Sequence, residues 1–339
     1  MKEFGSNFHY LQIEANVAEV LGHYYPDAAY YAIGRHALID LYRQMGWKRL
    51  WVPEYFCYEV LGSMQREGVN VVFYTDFPTS NEEKELQGLP FEKGDALLRV
   101  NYFGLRAKRS NSAIPVPVVE DHTHDLIGNW AQNSDADWCI ASLRKTLPLA
   151  EGGILWSPRG NRLPKASRES SQNAKLAALM WDAMRKKSLY LENRIQDKAG
   201  FRDVMTTVEE QFDQLEISAL DSETSDYIKF FDIQKWYSRK RENRLVLKSL
   251  QKDDFKILEP ETEDCNPFSL TLLFSDEEDR DRYRKRLIEN DVYPAILWNI
   301  PSGKHPDVVR FSKRMLSIHC DARYSLDDVS KLRSIMNGC

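Results

Sequence analysis

No stretch of this sequence approaches the ~20 consecutive apolar residues that crossing a bilayer requires. Internal repeats and low-complexity tracts are also missing, so neither a repeat architecture nor wholesale disorder is expected. Excess basic charge is absent: 46 Lys+Arg stand against 51 Asp+Glu, a net charge of −5. Such a balance gives no broad field for holding nucleic acid or an anionic membrane. There is no CxxC pair. Five cysteines, Cys57, Cys139, Cys265, Cys320 and Cys339, are odd in number and far apart. That excludes a disulfide frame and a zinc knuckle and points to reduced thiols in a cytoplasmic protein. The opening residues, Met1 to Asn16, are polar and mixed in charge, unlike a secretory signal. What remains is a chain of 339 residues, 42% hydrophobic and 29% charged, enough for roughly two domains of about 150 residues.

From Tyr31 to about Pro158, short apolar runs alternate with helical spacing. Leu38, Leu41, Tyr42 and Met45 predict a helix stopped by Gly46. Arg49 to Pro53 reads as a strand, Cys57 to Arg66 as a helix and Val69 to Tyr74 as a strand. Further strands are expected at Ala96 to Tyr102, Val116 to Glu120, Trp138 to Ser142 and Gly153 to Trp156. Strands that are apolar on both faces and separated by helices predict a mainly parallel α/β sheet covered on both sides. From Gly160 to Leu250 the composition predicts long amphipathic helices, with Arg239 to Arg244 as a solvated face. Strands at Phe255 to Leu258, Phe268 to Phe274, Val292 to Trp298 and Met315 to His319 are expected beyond it. Helices at Glu277 to Asn290 and from Leu326 complete a compact α+β unit. The expected division is therefore 1–250 for a large domain and 251–339 for a small one.

Three features carry chemistry. Val118-Val-Glu-Asp121 is an apolar strand ending in an acid, the edge where open α/β sheets bind ligands; such an acid also serves as a helix cap. Ser142-Leu-Arg-Lys145 places an amine just past another strand, before the turn at Gly152-Gly153. Burial would lower its pKa and free it as a nucleophile, although a lone lysine is usually an exposed loop residue. Gly34-Arg35-His36 opens an amphipathic helix, where backbone N–H groups and the helix dipole favour a phosphate. Lys145 follows Asp121 by 24 residues. Phosphate donors, an acid and an amine in this order are what pyridoxal 5'-phosphate needs for its phosphate, its ring nitrogen and its aldehyde.

Lys145-Thr-Leu-Pro-Leu-Ala-Glu-Gly-Gly153 is similar to the lysine and Glu-Gly-Gly stretch of the DegT/DnrJ/EryC1/StrS family of pyridoxal-phosphate-dependent sugar aminotransferases. Val119-Glu-Asp121 resembles its "IED" strand, Val100-Asn-Tyr-Phe-Gly104 its "VHxxG" strand, and Val52-Pro53 with the aromatic cluster behind it its "VPxxTF" segment. Arg314 to Asp328 resembles its "LSLPxxxxLSxxDV" stretch, so the likeness runs from about residue 30 to 335. It implies fold type I, with a mostly parallel seven-stranded sheet in a large domain and a small C-terminal α/β domain. It further implies a homodimer with the active site at the subunit boundary. By resemblance, Lys145 is the lysine that bonds the cofactor's aldehyde and Asp121 the partner of its ring nitrogen. Ser142, Gly34, Arg35 and His36 would hold the phosphate, and His124 would lie near the 3′-oxygen. Phe56 is the choice for stacking on the ring, with Tyr55, Cys57 and Tyr58 as alternatives. The activity implied is transfer of an amino group from an amino acid, glutamate by resemblance, to a keto sugar, free or nucleotide-linked.

The sequence departs from that pattern in several places. Ile140-Ala-Ser142 replaces the family's Ser-Phe-His, Gly34-Arg-His replaces Gly-Thr, and the "NxRM" segment is replaced near Asp221-Ser-Glu223-Thr. An acid there would repel phosphate, so the contact is lost or the loop is placed differently. Retention of Lys145 argues against the relatives that carry histidine and remove a sugar hydroxyl. Two other readings stand beside this one. A relative of this kind can bind the cofactor with another reaction or without turnover, and His122 and His124, two apart on an extended segment, form an HxH pair of the sort that binds metal in hydrolases. Trp298 and Lys304 are candidates to reach a substrate.

Overall fold

The computed structural model describes residues 2–5, 7–13, 20–164, 168–250 and 253–339. The division expected at residue 250 adjoins positions 251 and 252, and the reading of the first 16 residues includes positions 1, 6 and 14–16, all outside the described residues.

The alternating runs form one seven-stranded sheet: β1 (Ala29–Tyr31), β2 (Arg49–Pro53), β3 (Val71–Tyr74), β4 (Asp95–Val100), β5 (Val118–Asp121), β6 (Trp138–Ser142) and β7 (Gly153–Trp156). They lie in the order β1-β7-β6-β5-β4-β2-β3. The five strands from β6 to β3 run parallel, while β7 is antiparallel to β6 and β1 to β7. Period-two alternation divides the strand residues between two cores: Leu97, Val118, Cys139 and Ala141 on one face, Leu98, Val100, Val119 and Ile140 on the other. All six residues of β4 are buried, as a central strand covered on both faces must be.

Helix α1 (Gly34–Met45) places its apolar residues as the spacing predicts and ends at Gly46, whose φ of 64° is the left-handed conformation that glycine adopts without penalty. Helix α2 (Tyr58–Arg66) follows β2. The charged middle of the chain forms α3 (Ser171–Leu191), α4 (Lys198–Phe212), α5 (Ser222–Phe230) and α6 (Ile233–Lys248). Each begins at a Ser or Asp whose side chain accepts a first-turn N–H. The run Arg239 to Arg244 is not the solvated face expected of it. Lys240, Asn243 and Arg244 are buried, because α6 turns their helical positions inward. There Lys240 lies over the Tyr237 ring, Asn243 donates to the carbonyls of Asp321 and Tyr324, and Arg244 pairs with Glu259.

Beyond residue 253, β8 (Phe255–Ile257), β9 (Leu270–Phe274) and β10 (Met315–Ile318) form an antiparallel sheet with β9 central. Helices α7 (Glu277–Glu289) and α9 (Leu326–Gly338) supply Tyr283, Leu287, Val329, Leu332 and Met336 to its core, which also takes Phe4 and Leu247. Between them lies α8 (Pro306–Arg314). The strand expected from Val292 to Trp298 is only Val292–Tyr293, paired in parallel with Phe4–Gly5. Pro294 has no N–H to continue a ladder, and the chain beyond it turns toward the large sheet. Among the described residues, no helix is long and apolar enough to cross a membrane, and all five cysteines are free thiols.

Candidate active site

A cavity of about 510 Å³ opens at the carboxyl ends of β5 and β6. Asp121 and Ser142, the last residues of those strands, both line it, together with Gly34, Arg35, Phe56, His124 and Lys145. Of the residues expected to hold the cofactor, His36 is absent from its walls, as are Tyr55, His122 and Lys304 among the other candidates.

Two glycines bring the parts together. A Cβ on Gly34 would lie 2.9 Å from the Ser142 Cβ and 3.0 Å from its Cα, so only glycine lets α1 begin against the end of β6. A Cβ on Gly153 would lie 2.5 Å from the Ile33 carbonyl carbon and 2.7 Å from the Gly34 nitrogen. The paired glycines thus serve close approach to the start of α1, sealed by the Gly152 N–H donating to Ala32 O at 2.5 Å. Helix α1 starts without a side-chain cap.

Asp121 uses Oδ1 to accept the Thr123 N–H at 2.8 Å, and among the described residues Oδ2 has no partner. Burial raises its pKa. Thr123, which the sequence reading passed over, also accepts the Ser142 N–H on Oγ1 at 2.9 Å and so ties the acid-bearing strand to the lysine-bearing one. Lys145 ends a single 3-10 turn after β6. Its amine opens onto the cavity and makes no hydrogen bond or ion pair among the described residues. The adjacent Arg144 guanidinium, and after it loss of water, hold this amine below its usual pKa.

His124 is buried, its ring 4.8 Å from Phe268, 5.5 Å from Phe103 and 5.7 Å from Trp298 in a nearly parallel stack. Burial first, then the charges of Lys240 and Lys145, lower its pKa to about 3. Its Nδ1 accepts the Phe103 N–H at 3.1 Å, so the neutral ring carries its proton on Nε2. Phe56 lines the cavity and packs on Trp298 at 6.1 Å. Tyr55 does not line it: the ring is buried among Tyr102, Phe103 and Phe311, and its hydroxyl donates to Leu297 O. Tyr58 and Cys57 border the cavity, with Tyr58 stacked on Phe73. Trp298 reaches the cavity from the C-terminal part of the chain, whereas Lys304 sits over the Phe73 ring, 3.1 Å from its centroid.

His36 points away from the other expected phosphate ligands. Its Nε2 donates to Leu215 O at 3.1 Å, its Nδ1 accepts the Ser218 N–H at 3.4 Å, and its own N–H is taken by Ile33 O. The third position of the helix faces inward, toward the chain after α4. Asp221 does not face the cavity either; it caps α5, accepting the Glu223 and Thr224 N–H groups. The HxH pair does not converge. His122 lies on the opposite face of β5 with Glu120 and Cys139, the one group of potential metal-ligating atoms within reach of one another among the described residues. Glu120 there already accepts from Asn111, Ser134 and His122. The sequence reading also missed the acidic wall of α4, from which Glu209 pairs with Arg144 while Asp213, just past it, pairs with Arg35. Acids four apart were the available signal, but nothing local says which arginines they meet.

The sheet order, the site at its carboxyl edge and the second, smaller sheet define the fold type I architecture of aminotransferases. Among solved structures, the putative sugar aminotransferase Spr1654 of Streptococcus pneumoniae, in its PMP form, matches at a TM-score of 0.65 and 13% identity, over 94% of this chain and 89% of that one. Helicobacter pylori PseC, an aminotransferase involved in pseudoaminic acid biosynthesis, matches at 0.64 and 13%, over 99% and 98%. A DegT DnrJ EryC1 StrS aminotransferase from Brucella abortus matches at 0.60 and 17%, over 94% and 87%. At these identities the likeness is one of fold. No family model and no curated protein matches the sequence.

Proposed function

We propose that the protein is a pyridoxal-phosphate-dependent aminotransferase that moves an amino group from an amino acid, glutamate in the first instance, to a keto sugar carried on a nucleotide. The observation that carries this reading is an unpartnered Lys145 amine and an Asp121 carboxyl with a free oxygen in one 510 Å³ cavity. The cavity's features fit the cofactor: a nucleophilic amine, an acid for a ring nitrogen, an aromatic wall at Phe56, and a helix start packed so closely on Ser142 that a Cβ has no room. Ser142, Gly34 and Arg35 would hold its phosphate, while Asp121 and His124 would meet its ring.

When bound, the cofactor supplies an aldehyde for amine exchange and a ring that accepts electrons. Lys145, with its lowered pKa, is suited to take a proton at the substrate carbon and return it, the task of a general acid and base near neutral pH. Asp121, once it faces a cation, is drawn to its charged form and keeps the proton on that cation. Phe56 and Trp298 cover the cavity's apolar side and keep water from the reacting carbon. The same reading takes the protein as a cytoplasmic homodimer whose active site lies at the subunit boundary.

The test is a visible spectrum of the purified chain with pyridoxal phosphate, before and after glutamate, followed by borohydride reduction and peptide mapping. A band that shifts with glutamate and a label on Lys145 are expected; Lys145→Ala should lose both. A colourless protein, or a label spread over surface lysines, would end the proposal.

A further inference from the structure

We propose that Arg35 and Arg144 together receive the cofactor's phosphate, and that Glu209 and Asp213 occupy those guanidinium groups as internal stand-ins until it binds. The inference rests on the cofactor reading above and concerns the same cavity. Glu209 lies in the last turn of α4, and Asp213 follows its end with helical backbone angles, φ −67° and ψ −22°. Residues four apart on one helical turn face the same way, and here they face α1 and the lysine turn.

The two ion pairs are unequal in a way that favours exchange. The arginine side chains are 9% and 8% exposed, whereas their acids are 33% and 34% exposed. A buried cation that loses its partner needs another anion, while a carboxylate at the cavity rim can turn into water at little cost. Both arginines have supports that remain when the acids leave. Arg35 Nη1 also donates to Ser63 Oγ at 2.8 Å, and the Arg144 guanidinium lies 5.4 Å from the Phe212 ring centre. Arg144 Nε is buried without a hydrogen-bond partner, a donor that Glu209 leaves unused. Burial alone would raise the Glu209 pKa, yet Arg144 and Lys145 pull it down, so it stands in as an anion.

Charge balances in the exchange. A phosphate monoester carries close to two negative charges near neutral pH, the same as the two carboxylates it displaces. Its three oxygens can accept from both guanidinium groups and from the first turn of α1. This accounts for one departure in the sequence, the arginine that follows Gly34, and gives a use to the arginine that precedes Lys145. The ligand chemistry is a phosphate dianion, and α4 is the element that gives way.

Inorganic phosphate and the pair pyridoxal phosphate and pyridoxal test this on the full chain. In Glu209→Gln with Asp213→Asn, phosphate alone should raise the melting temperature by more than it does in the wild type. The same variant should bind pyridoxal phosphate about tenfold more tightly, a step expected of one charge-assisted contact. Asp203→Asn, which removes an exposed acid of α4 that lies outside the cavity wall and makes no ion pair among the described residues, should behave as the wild type. Arg35→Gln and Arg144→Gln should each lose about tenfold in affinity for pyridoxal phosphate and little for pyridoxal. If either arginine variant fails to fold, Arg→Lys at the same position keeps the charge and should fall between the two. Equal losses for both aldehydes, with no extra phosphate stabilisation in the double variant, would overturn the inference. Failure of both aldehydes to label Lys145 in the wild type would instead overturn the cofactor reading, and the phosphate response would still decide the anion site.

Discussion

A lysine amine without an ion pair among the described residues is uncommon in a cavity wall, and Lys145 is more so for having Arg144 beside it, a repulsion that the Glu209 charge only partly offsets. The guanidinium, then the scarcity of water, disfavours its protonated form. A lowered pKa means that the neutral, nucleophilic amine persists to lower pH than in a surface lysine. Reductive methylation across a pH series, read by peptide mapping, should therefore give Lys145 a half-maximal rate at lower pH than the exposed lysines. Equal profiles would count against the assignment. Glu151, the acid of the Glu-Gly-Gly stretch, shows the opposite case. It is fully buried, its Oε1 accepts the Asp221 N–H at 2.6 Å, its Oε2 has no partner, and burial raises its pKa to about 8. In the folded state it binds a proton that the unfolded chain releases near the ordinary glutamate value, so its effect on stability is most favourable at low pH and is lost as pH rises toward about 8. Glu151→Gln should melt higher than the wild type at pH above 8 and nearly equal to it near pH 5, measured by thermal denaturation.

At the scale of elements, the site depends on how closely three segments approach. The start of α1, the end of β6 and the turn before β7 meet at contacts that no side chain beyond hydrogen can enter. Gly153→Ala would press a methyl group on the backbone of Ile33 and Gly34, and overpacking of this kind costs about 1–3 kcal/mol. Urea denaturation should register that loss, and pyridoxal phosphate binding should weaken with it because α1 shifts away from Ser142. Under β4, a second set of contacts fixes the sheet edge. Arg99 and Arg106, fully buried, share Glu82 and Asp76, with Arg99–Glu82 at 2.9 Å and Arg106–Asp76 at 2.6 Å. Neutralising one acid in such a group leaves an uncompensated cation. Asp76→Asn should cost about 3–5 kcal/mol in a urea melt. None of this cluster faces the cavity, and its effect is on the stability of the whole sheet.

Across the whole molecule, the cavity joins residues that lie far apart in the chain. Trp298 comes from the segment between β9 and β10 of the second sheet and packs on His124 and Phe56 in the wall of the cavity that Lys145 also lines. Removing it should open the cavity without disturbing the strands. A bulky aromatic aldehyde with cyanoborohydride should label Lys145 faster in Trp298→Ala than in the wild type, while formaldehyde should label both at similar rates. Six of the seven strands and their mostly parallel order were legible from apolar runs, while β1, a three-residue strand at the sheet edge, was not. Three of them, β2, β6 and β7, fall at the expected residues. The division of labour among aromatic residues was less so. Tyr55, Phe56 and Tyr58 are adjacent in sequence, and only packing against Tyr102 and Phe311 removes Tyr55 from the cavity. Charge was the least legible property. Lys240 and Arg244 look like solvent residues until α6 is set against Tyr237 and Glu259.

The sequence by itself determined which residues can do chemistry and in what order they follow strands and turns: an acid closing β5, an amine just past β6, glycines where the backbone must pass closely. These are local properties, set by periodicity and by the space a side chain needs. Only the tertiary structure decided which groups meet. It turned His36 and His122 away from the cavity, tied Thr123 to Ser142, and set Glu209 and Asp213 against Arg144 and Arg35. Such pairings arise where elements distant in the chain are packed together, and a one-dimensional pattern holds no record of the angle at which they meet.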